Sequence, residues 1–296
     1  METKKTFGFP IVGTERTFEL GKYEWIARQA DDCSHATKDQ FCLLVTCKPK
    51  KESRTALWNC LVSGRFVRKT ANKEKEVVFG QWNILLSNEY STRHVPYEKA
   101  SYGSVLTIIP KAENGADFVH MEIVESFHAD LSDPANSLID GPNDAARFKI
   151  DGEELYLSKK ALGAQSPFFL ALFTKDFKEK TEDLYELKDV KLEEFLHLLQ
   201  IVHFLNVHID KNSVEHLLKL SDYYQFKSAF RHCKEYLRKA SVEEISLFKK
   251  LRIADHFKLR RIVMETMEQI SWDDWKTLPD KDLLSSFTRD LFHYKP

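Results

Sequence analysis

The stretch that decides the fold runs from Asp144 to Leu199 and reads DAARFKIDGEELYLSKKALGAQSPFFLALFTKDFKEKTEDLYELKDVKLEEFLHLL. Arg147 to Phe173 read as a short βαα opening. Ser166-Pro167 marks a helix start, with a serine cap followed by proline at the first helical position, where the missing N–H costs nothing. Leu192, Phe195, Leu196, Leu199 and Val202 then recur as one helical face.

Downstream the helical rhythm continues. Val214, Leu217, Leu218, Ser221 and Tyr224 form a second face, and Phe226, Ala229, Phe230, Cys233 and Leu237 a third. Leu259, Ile262, Val263, Thr266, Met267 and Ile270 form a fourth. Asn212…Glu215 and Ser241…Glu244 have the spacing of capping boxes. These signals predict helices over 242–254 and 257–270. Leu283, Leu284, Phe287 and Leu291 add one further apolar stripe near the C-terminus.

Upstream, DLSDPANSLIDGPN at Asp130–Asn143 is aperiodic and broken by Pro134, Gly141 and Pro142, which places the domain boundary there. Before it, from about 18 to 127, the texture is β-rich. Phe41, Leu43, Val45 and Cys47 alternate with Cys42, Leu44 and Thr46, so successive side chains take opposite sheet faces. Leu57–Val67, Val77–Leu86, Val105–Ile109 and Phe118–Val124 are similar runs separated by charged and Gly/Asn-bearing segments. Short strands at this spacing predict an antiparallel sandwich.

Composition bounds the function. The 296 residues are 43% hydrophobic and 30% charged, enough for real cores and for about two domains at roughly 150 residues each. Lys+Arg number 44 against 45 Asp+Glu, so no global basic excess favours nucleic acid. No stretch reaches the roughly 18 apolar residues of a membrane span. METKKTFGFP lacks the hydrophobic run of a secretory signal. Five cysteines at irregular spacing do not read as a disulfide framework. The chain reads as reduced and intracellular, cytoplasmic and/or nuclear.

The search for catalytic chemistry is negative. The sequence holds no GxGxxG, GxxxxGK[ST], GxSxG or CxxC. Cys42 and Cys47 are the nearest cysteine pair on one strand, a poor geometry for a shared metal. His197, His203 and His208 cluster in sequence but not on one helical face, and read as surface or partly buried residues of an amphipathic helix. Cys233 falls on an apolar face as a buried inert thiol. Lys48-Pro49-Lys50-Lys51 with Arg54 reads as a nuclear-import signal or, better, as a solvated hairpin loop. Lys249, Lys250, Arg252, Lys258, Arg260 and Arg261 read as a charged outer face rather than a phosphate site.

The segment from Asp144 onward closely resembles a BTB (POZ) domain. The resemblance rests on Asp144, the tight turn Asp151-Gly152, Leu162–Phe169, Leu172-Phe173, the acidic-hydrophobic loop Asp176–Glu179, the strand Leu184–Leu187, Asp189-Val190, and a helix pair ending near Leu237. It departs at Ser158-Lys159, where many relatives have His before Lys, and at His203–Asn206, which replaces an aromatic-Thr-Gly. The phrasing LSKKALGAQSPFF followed by DFKEK looks most like the nematode-type branch that joins a MATH-like domain to BTB. The N-terminal half resembles a MATH (TRAF-type) sandwich more loosely, through Tyr23-Glu24-Trp25, Phe41–Cys47, Trp58 and Trp82 over about 110 residues. No peptide-groove residue is carried over.

The resemblance implies an α+β protein of two domains. The antiparallel β-sandwich would occupy 1–130, a linker 131–143, the BTB/POZ domain 144–240, and a helical 3-box or BACK-like extension 241–296. It implies a non-enzymatic adaptor of a cullin-RING ubiquitin ligase. In that arrangement the BTB half dimerises and binds a cullin scaffold of the cullin-three type, while the MATH-like half binds a protein substrate that the sequence does not name. A BTB-mediated scaffold or transcriptional regulator without cullin is the alternative. The implied cullin-binding residues are Phe177, Lys178 and Glu179, matching a hydrophobic-x-Glu motif. From the residues alone, Phe177 serves a partner groove or folds back on Phe173 with equal right. No catalytic residue, cofactor, metal, membrane or direct nucleic-acid contact is expected.

Overall fold

A computed structural model describes residues 2–8, 15–30, 40–50, 53–69, 76–87, 103–110, 116–174, 184–205, 209–278 and 281–293. The chain divides into two compact units, Met1–Ser158 and Lys159–Pro296.

The first unit carries eight strands of a sandwich: β1 (Lys4–Gly8), β2 (Glu15–Leu20), β3 (Tyr23–Ala30), β4 (Gln40–Pro49), β5 (Ala56–Lys69), β6 (Glu76–Ser87), β7 (Gly103–Pro110) and β8 (Ala116–Asp130). They form two antiparallel sheets of order β1-β8-β5-β6 and β2-β3-β4-β7. The expected strands are all present. β1, β2 and β3 were not among the expected runs; β1 is five residues long and pairs with the far end of the domain, Lys4 opposite Glu122 and Gly8 opposite Phe118. Phe7, Leu20, Tyr23, Trp25, Leu43, Val45, Trp58, Val62, Phe66 and Met121 fill the core between the sheets.

Trp25 and Tyr23 bring polar atoms into that core, and each finds a main-chain acceptor. The Trp25 indole N–H donates to the Leu20 carbonyl at 3.2 Å. The Tyr23 hydroxyl lies 3.0 Å from both the Asn59 and the Phe127 carbonyls, in the other sheet. Burial first, then the neighbouring Cys60 and Cys47 thiols, raise the Tyr23 phenol above its ordinary range. Gly64 lies opposite Trp82, whose indole covers it; a Cβ there would come within 2.1 Å of the ring, so any other residue must displace the indole.

Beyond β8, residues 131–144 form a run of hydrogen-bonded turns, with Asp133 N–H to Asp130 O, Asn136 N–H to Asp133 O, Ile139 N–H to Asn136 O and Asp144 N–H to Gly141 O. A hairpin follows, β9 (Ala145–Ile150) and β10 (Glu153–Ser158). Its two-residue turn places Asp151 at φ +51° and Gly152 at φ +82°, the left-handed pair that matches strand twist and that Asp-Gly supplies at low strain.

The second unit contains α1 (Lys159–Gln165), α2 (Pro167–Thr174), β11 (Tyr185–Leu187), α3 (Leu192–Val202), α4 (Val214–Tyr223), α5 (Lys227–Lys239), α6 (Leu247–His256), α7 (Arg260–Met267), α8 (Trp272–Thr277), a 3-10 turn (Lys281–Leu283) and α9 (Ser286–His293). The Ser166 cap is real: its hydroxyl accepts from Phe169 N–H at 3.1 Å. Two other capping expectations are corrected. Ser241 and Glu244 do make the reciprocal bonds of a capping box, but they close an isolated turn, and α6 starts at Leu247 with Ser246 as its cap. Ahead of α4 the box is made by Asp210 and Ser213 instead of Asn212 and Glu215: Asp210 accepts from Asn212 and Ser213 N–H, and Ser213 Oγ accepts from Asp210 N–H. The fold is α+β, with the strands gathered first and the helices after.

Candidate partner-binding site

Phe177, Lys178 and Glu179 lie in 175–183, outside the described residues. What the structure defines is the frame on either side. Upstream, α2 buries Phe169 and stacks Phe173 against it at 6.0 Å. Downstream, Tyr185 opens β11 and meets Phe173 edge-on at 5.5 Å. Phe169 also packs on Tyr224 at 5.4 Å and Phe226 at 5.5 Å. Phe173 therefore has described aromatic partners of its own.

Ser166 locks this frame to the helices behind it. Its hydroxyl donates to the Tyr224 carbonyl at 2.5 Å while capping α2, so one buried oxygen satisfies a helix start and a helix end. Gln165 Nε2 donates to the Val202 carbonyl at 2.6 Å, which ties the end of α1 to the end of α3. Burial and then the neighbouring Tyr223 push the Tyr224 phenol up to about 12, so it stays neutral. Tyr223 itself is 68% exposed and Leu170 52%, apolar surface on the helices that carry the frame.

The helical extension is joined to the preceding helices by a buried amine. Lys250 is only 6% exposed, and its Nζ donates to the Ala240 carbonyl at 2.5 Å, at the end of α5. Desolvation lowers its pKa against the raising effect of Glu244 and Glu265. Ile245, Leu251, Leu259 and Ile262 are buried and Phe248 half-buried, as their spacing implied. Asp255 then anchors α9, accepting from Ser285 N–H at 2.7 Å and from the Ser285 and Thr288 hydroxyls. Those bonds hold the Asp255 carboxyl below its usual range even though burial opposes them.

Several of the remaining candidates have partners within the fold. In the basic run, Lys48 pairs with Glu24 at 3.4 Å, Lys50 with Glu19, and Arg54 with Glu153 at 3.1 Å. Arg261 pairs with Glu265 at 2.8 Å, Lys249 Nζ meets the Lys211 carbonyl at 3.3 Å, and Arg260 sits over the Phe287 ring at 5.4 Å. Helix α3 buries Leu198 and Ile201 as well as the expected face, while Glu193 stays exposed and His197 half-buried. His197 meets His216 of α4 at 5.6 Å between ring centres, a pairing across two helices that sequence spacing could not reveal. His203, at the end of α3, is pushed down to about 4 by burial; His208 lies outside the described residues. Cys47 pairs with Cys60 of the opposite sheet, and burial followed by that neighbour raises its thiol well above the reactive range. Cys233 is likewise pushed up to about 12. Among the described residues, no three His, Cys, Asp or Glu side chains gather as a metal site, and no helix is long and apolar enough to cross a membrane.

Comparison with known proteins meets this geometry. Residues 146–241 match the BTB/POZ domain, and the segment is one. Over 290 residues the chain is 25% identical to BTB and MATH domain-containing protein 36 of Caenorhabditis elegans, covering 91% of this chain and 85% of that protein. Over 113 residues it is 34% identical to BTB and MATH domain-containing protein 38 of the same organism, covering 38% of this chain and 29% of the relative. Over 88 residues it is 31% identical to human Kelch repeat and BTB domain-containing protein 4, covering 30% of this chain and 16% of that protein.

Proposed function

We propose that the chain is a non-enzymatic substrate adaptor of a cullin-RING ubiquitin ligase. The BTB/POZ domain binds a cullin scaffold of the cullin-three type and pairs as a homodimer, and the sandwich holds a protein substrate. The observation that carries this reading is a BTB/POZ domain at 146–241 with a helical pair seated directly behind it through Lys250, in a chain similar along 91% of its length to a BTB and MATH protein. The mechanism is proximity: holding a substrate lysine near a charged conjugating enzyme raises its effective concentration, and a dimer doubles the substrate sites. No residue of the chain needs to form or break a bond.

Phe177, Lys178 and Glu179 carry the cullin contact in this reading. The frame supports it, because Phe173, just before residues 175–183, packs on Phe169 and on Tyr185, just after them. Phe177 supplies an apolar anchor worth roughly 1.5–3 kcal/mol when buried, and Glu179 accepts charge-assisted hydrogen bonds. Purified full-length protein titrated with the cullin N-terminal region tests this. Phe177→Ala with Glu179→Ala should weaken binding at least tenfold, with Lys178→Ala near wild type and thermal stability unmoved. A folded double variant that binds at full strength assigns the contact to the wrong residues. A wild-type chain that dimerises but never binds cullin makes the protein a scaffold instead.

A further inference from the structure

Fourteen residues, 131–144, separate β8 of the sandwich from β9, and their composition suggests a loose tether. A free coil of that length spans about 20 Å root-mean-square between its ends. The observed contacts leave no such freedom. Leu131, fully buried, donates its N–H to the Thr55 carbonyl at 3.1 Å, and its carbonyl accepts from Tyr156 N–H of β10 at 2.7 Å. The Tyr156 carbonyl accepts from Asn136 Nδ2 at 3.0 Å; that amide also donates to Asp133 O at 2.9 Å, and the Asn136 side-chain oxygen accepts from Leu138 N–H. Asn136 is 6% exposed.

Asp130, the last residue of β8, secures the other end. One carboxylate oxygen accepts from the Ser53 hydroxyl at 3.0 Å, the Thr55 hydroxyl at 3.2 Å, and the Ser132 amide and hydroxyl at 3.2 and 2.7 Å. Arg54, beside those residues, pairs with Glu153 at the start of β10. Tyr156 pairs with Arg147 of β9 in the hairpin, yet both its main-chain groups turn the other way, toward the sandwich exit. A strand edge that would otherwise be open is closed by one backbone carbonyl and one side-chain amide.

We infer that residues 130–144 are a rigid strap that welds the sandwich to the β9–β10 hairpin of the BTB/POZ domain, with Asn136 and Asp130 as its two clamps. In the adaptor reading, the reach from the sandwich to that hairpin is then set by geometry and not by linker statistics. The weld itself does not depend on that reading, and its test involves no cullin or substrate.

The test is amide hydrogen exchange by mass spectrometry on the full-length chain. In wild type, peptides covering 131–144 and Tyr156 should exchange at least tenfold more slowly than an unstructured chain. Asn136→Ala and Asp130→Ala should each raise exchange across 131–144 and at Tyr156 at least tenfold while β3 and β4 stay protected. Unprotected 131–144 in the wild type, beside a protected sandwich, overturns the proposal. So does unchanged protection at Tyr156 in a folded Asn136→Ala variant. If neither variant folds, the wild-type exchange decides by itself.

Discussion

The Tyr23 hydroxyl of the sandwich reaches the carbonyls of Asn59 and Phe127, 36 and 104 residues along the chain. In the helical region Lys250 reaches the Ala240 carbonyl 10 residues away, and Asp255 reaches Ser285 and Thr288 at separations of 30 and 33. In both regions these particular polar groups meet main-chain or hydroxyl partners, but the sandwich must first bring distant strands together. Its first strand pairs with its last, Lys4 opposite Glu122. Non-local pairing of this kind slows folding and should make the sandwich the more cooperative of the two regions, since no strand has a complete ladder until the others arrive. The helices assemble from nearer pieces, so their exchange protection should be graded along the chain.

The largest expected effect tests that contrast directly. Trp25→Ala removes a fully buried indole and its bond to Leu20, and should destabilise the sandwich by about 3–5 kcal/mol. Amides of β1 to β8 should lose protection together, while those of α6 and α7 keep theirs. A loss confined to β3 would show that the sandwich is not cooperative; an equal loss in α6 and α7 would show that the two regions are not distinct.

Acid should separate the regions next. Burial holds the His203 imidazole to about 4, and His216 is lowered by burial and then by His197, against the raising influence of Glu194 and Asp210. Both rings are neutral in the native state, whereas an unfolded chain takes up protons near 6.5. Stability is therefore full above about 6.5 and is lost as pH falls from there toward 4, by up to roughly 3 kcal/mol for His203. Urea midpoints tracked on α3 and α4 should drop over that window more than those on the sandwich, and His203→Gln should flatten the drop. A slope that His203→Gln leaves unchanged assigns the acid sensitivity elsewhere.

Tyr23→Phe sharpens the comparison at a smaller scale. It keeps the ring and deletes one hydroxyl between two carbonyls, so about 1 kcal/mol should be lost from the chemical-denaturation free energy of the sandwich. The smallest effect concerns the edge strand. Lys4 and Glu122 pair at 3.0 Å, but both side chains are exposed, so Lys4→Ala should shift the denaturation midpoint by no more than about 0.5 kcal/mol. Phe7→Ala should cost several times that, because β1 docks through Phe7, which is 8% exposed. The reverse order would mean that charge rather than burial holds the strand.

How much of this was legible follows from the range of each interaction. The alternation of Phe41–Cys47 and of the runs at 57–67, 77–86, 105–109 and 118–124 is written into neighbouring residues, so the strands could be read. The Ser166-Pro167 cap and the Asp151-Gly152 turn could be read for the same reason. β1 could not: five residues carry too little pattern, and their partner is Phe118–Glu122. The pairings of His197 with His216 and of Cys47 with Cys60 were hidden because each member sits on a different element.

By itself, the sequence determined the division into a strand-rich half and a helix-rich half, the BTB/POZ signature after Asp144, and the poverty of catalytic motifs, because periodicity, turn chemistry and motif spacing are local properties of a chain. Only the tertiary structure decided what happens at 131–144. Pro134, Gly141 and Pro142 forbid regular structure there, and nothing nearby announces that the Leu131 carbonyl and the Asn136 amide find Tyr156. A broken segment becomes a tether or a strap according to whether its main-chain groups meet partners, and those partners lie up to 25 residues further along, on an edge that exists only once β9 and β10 have paired.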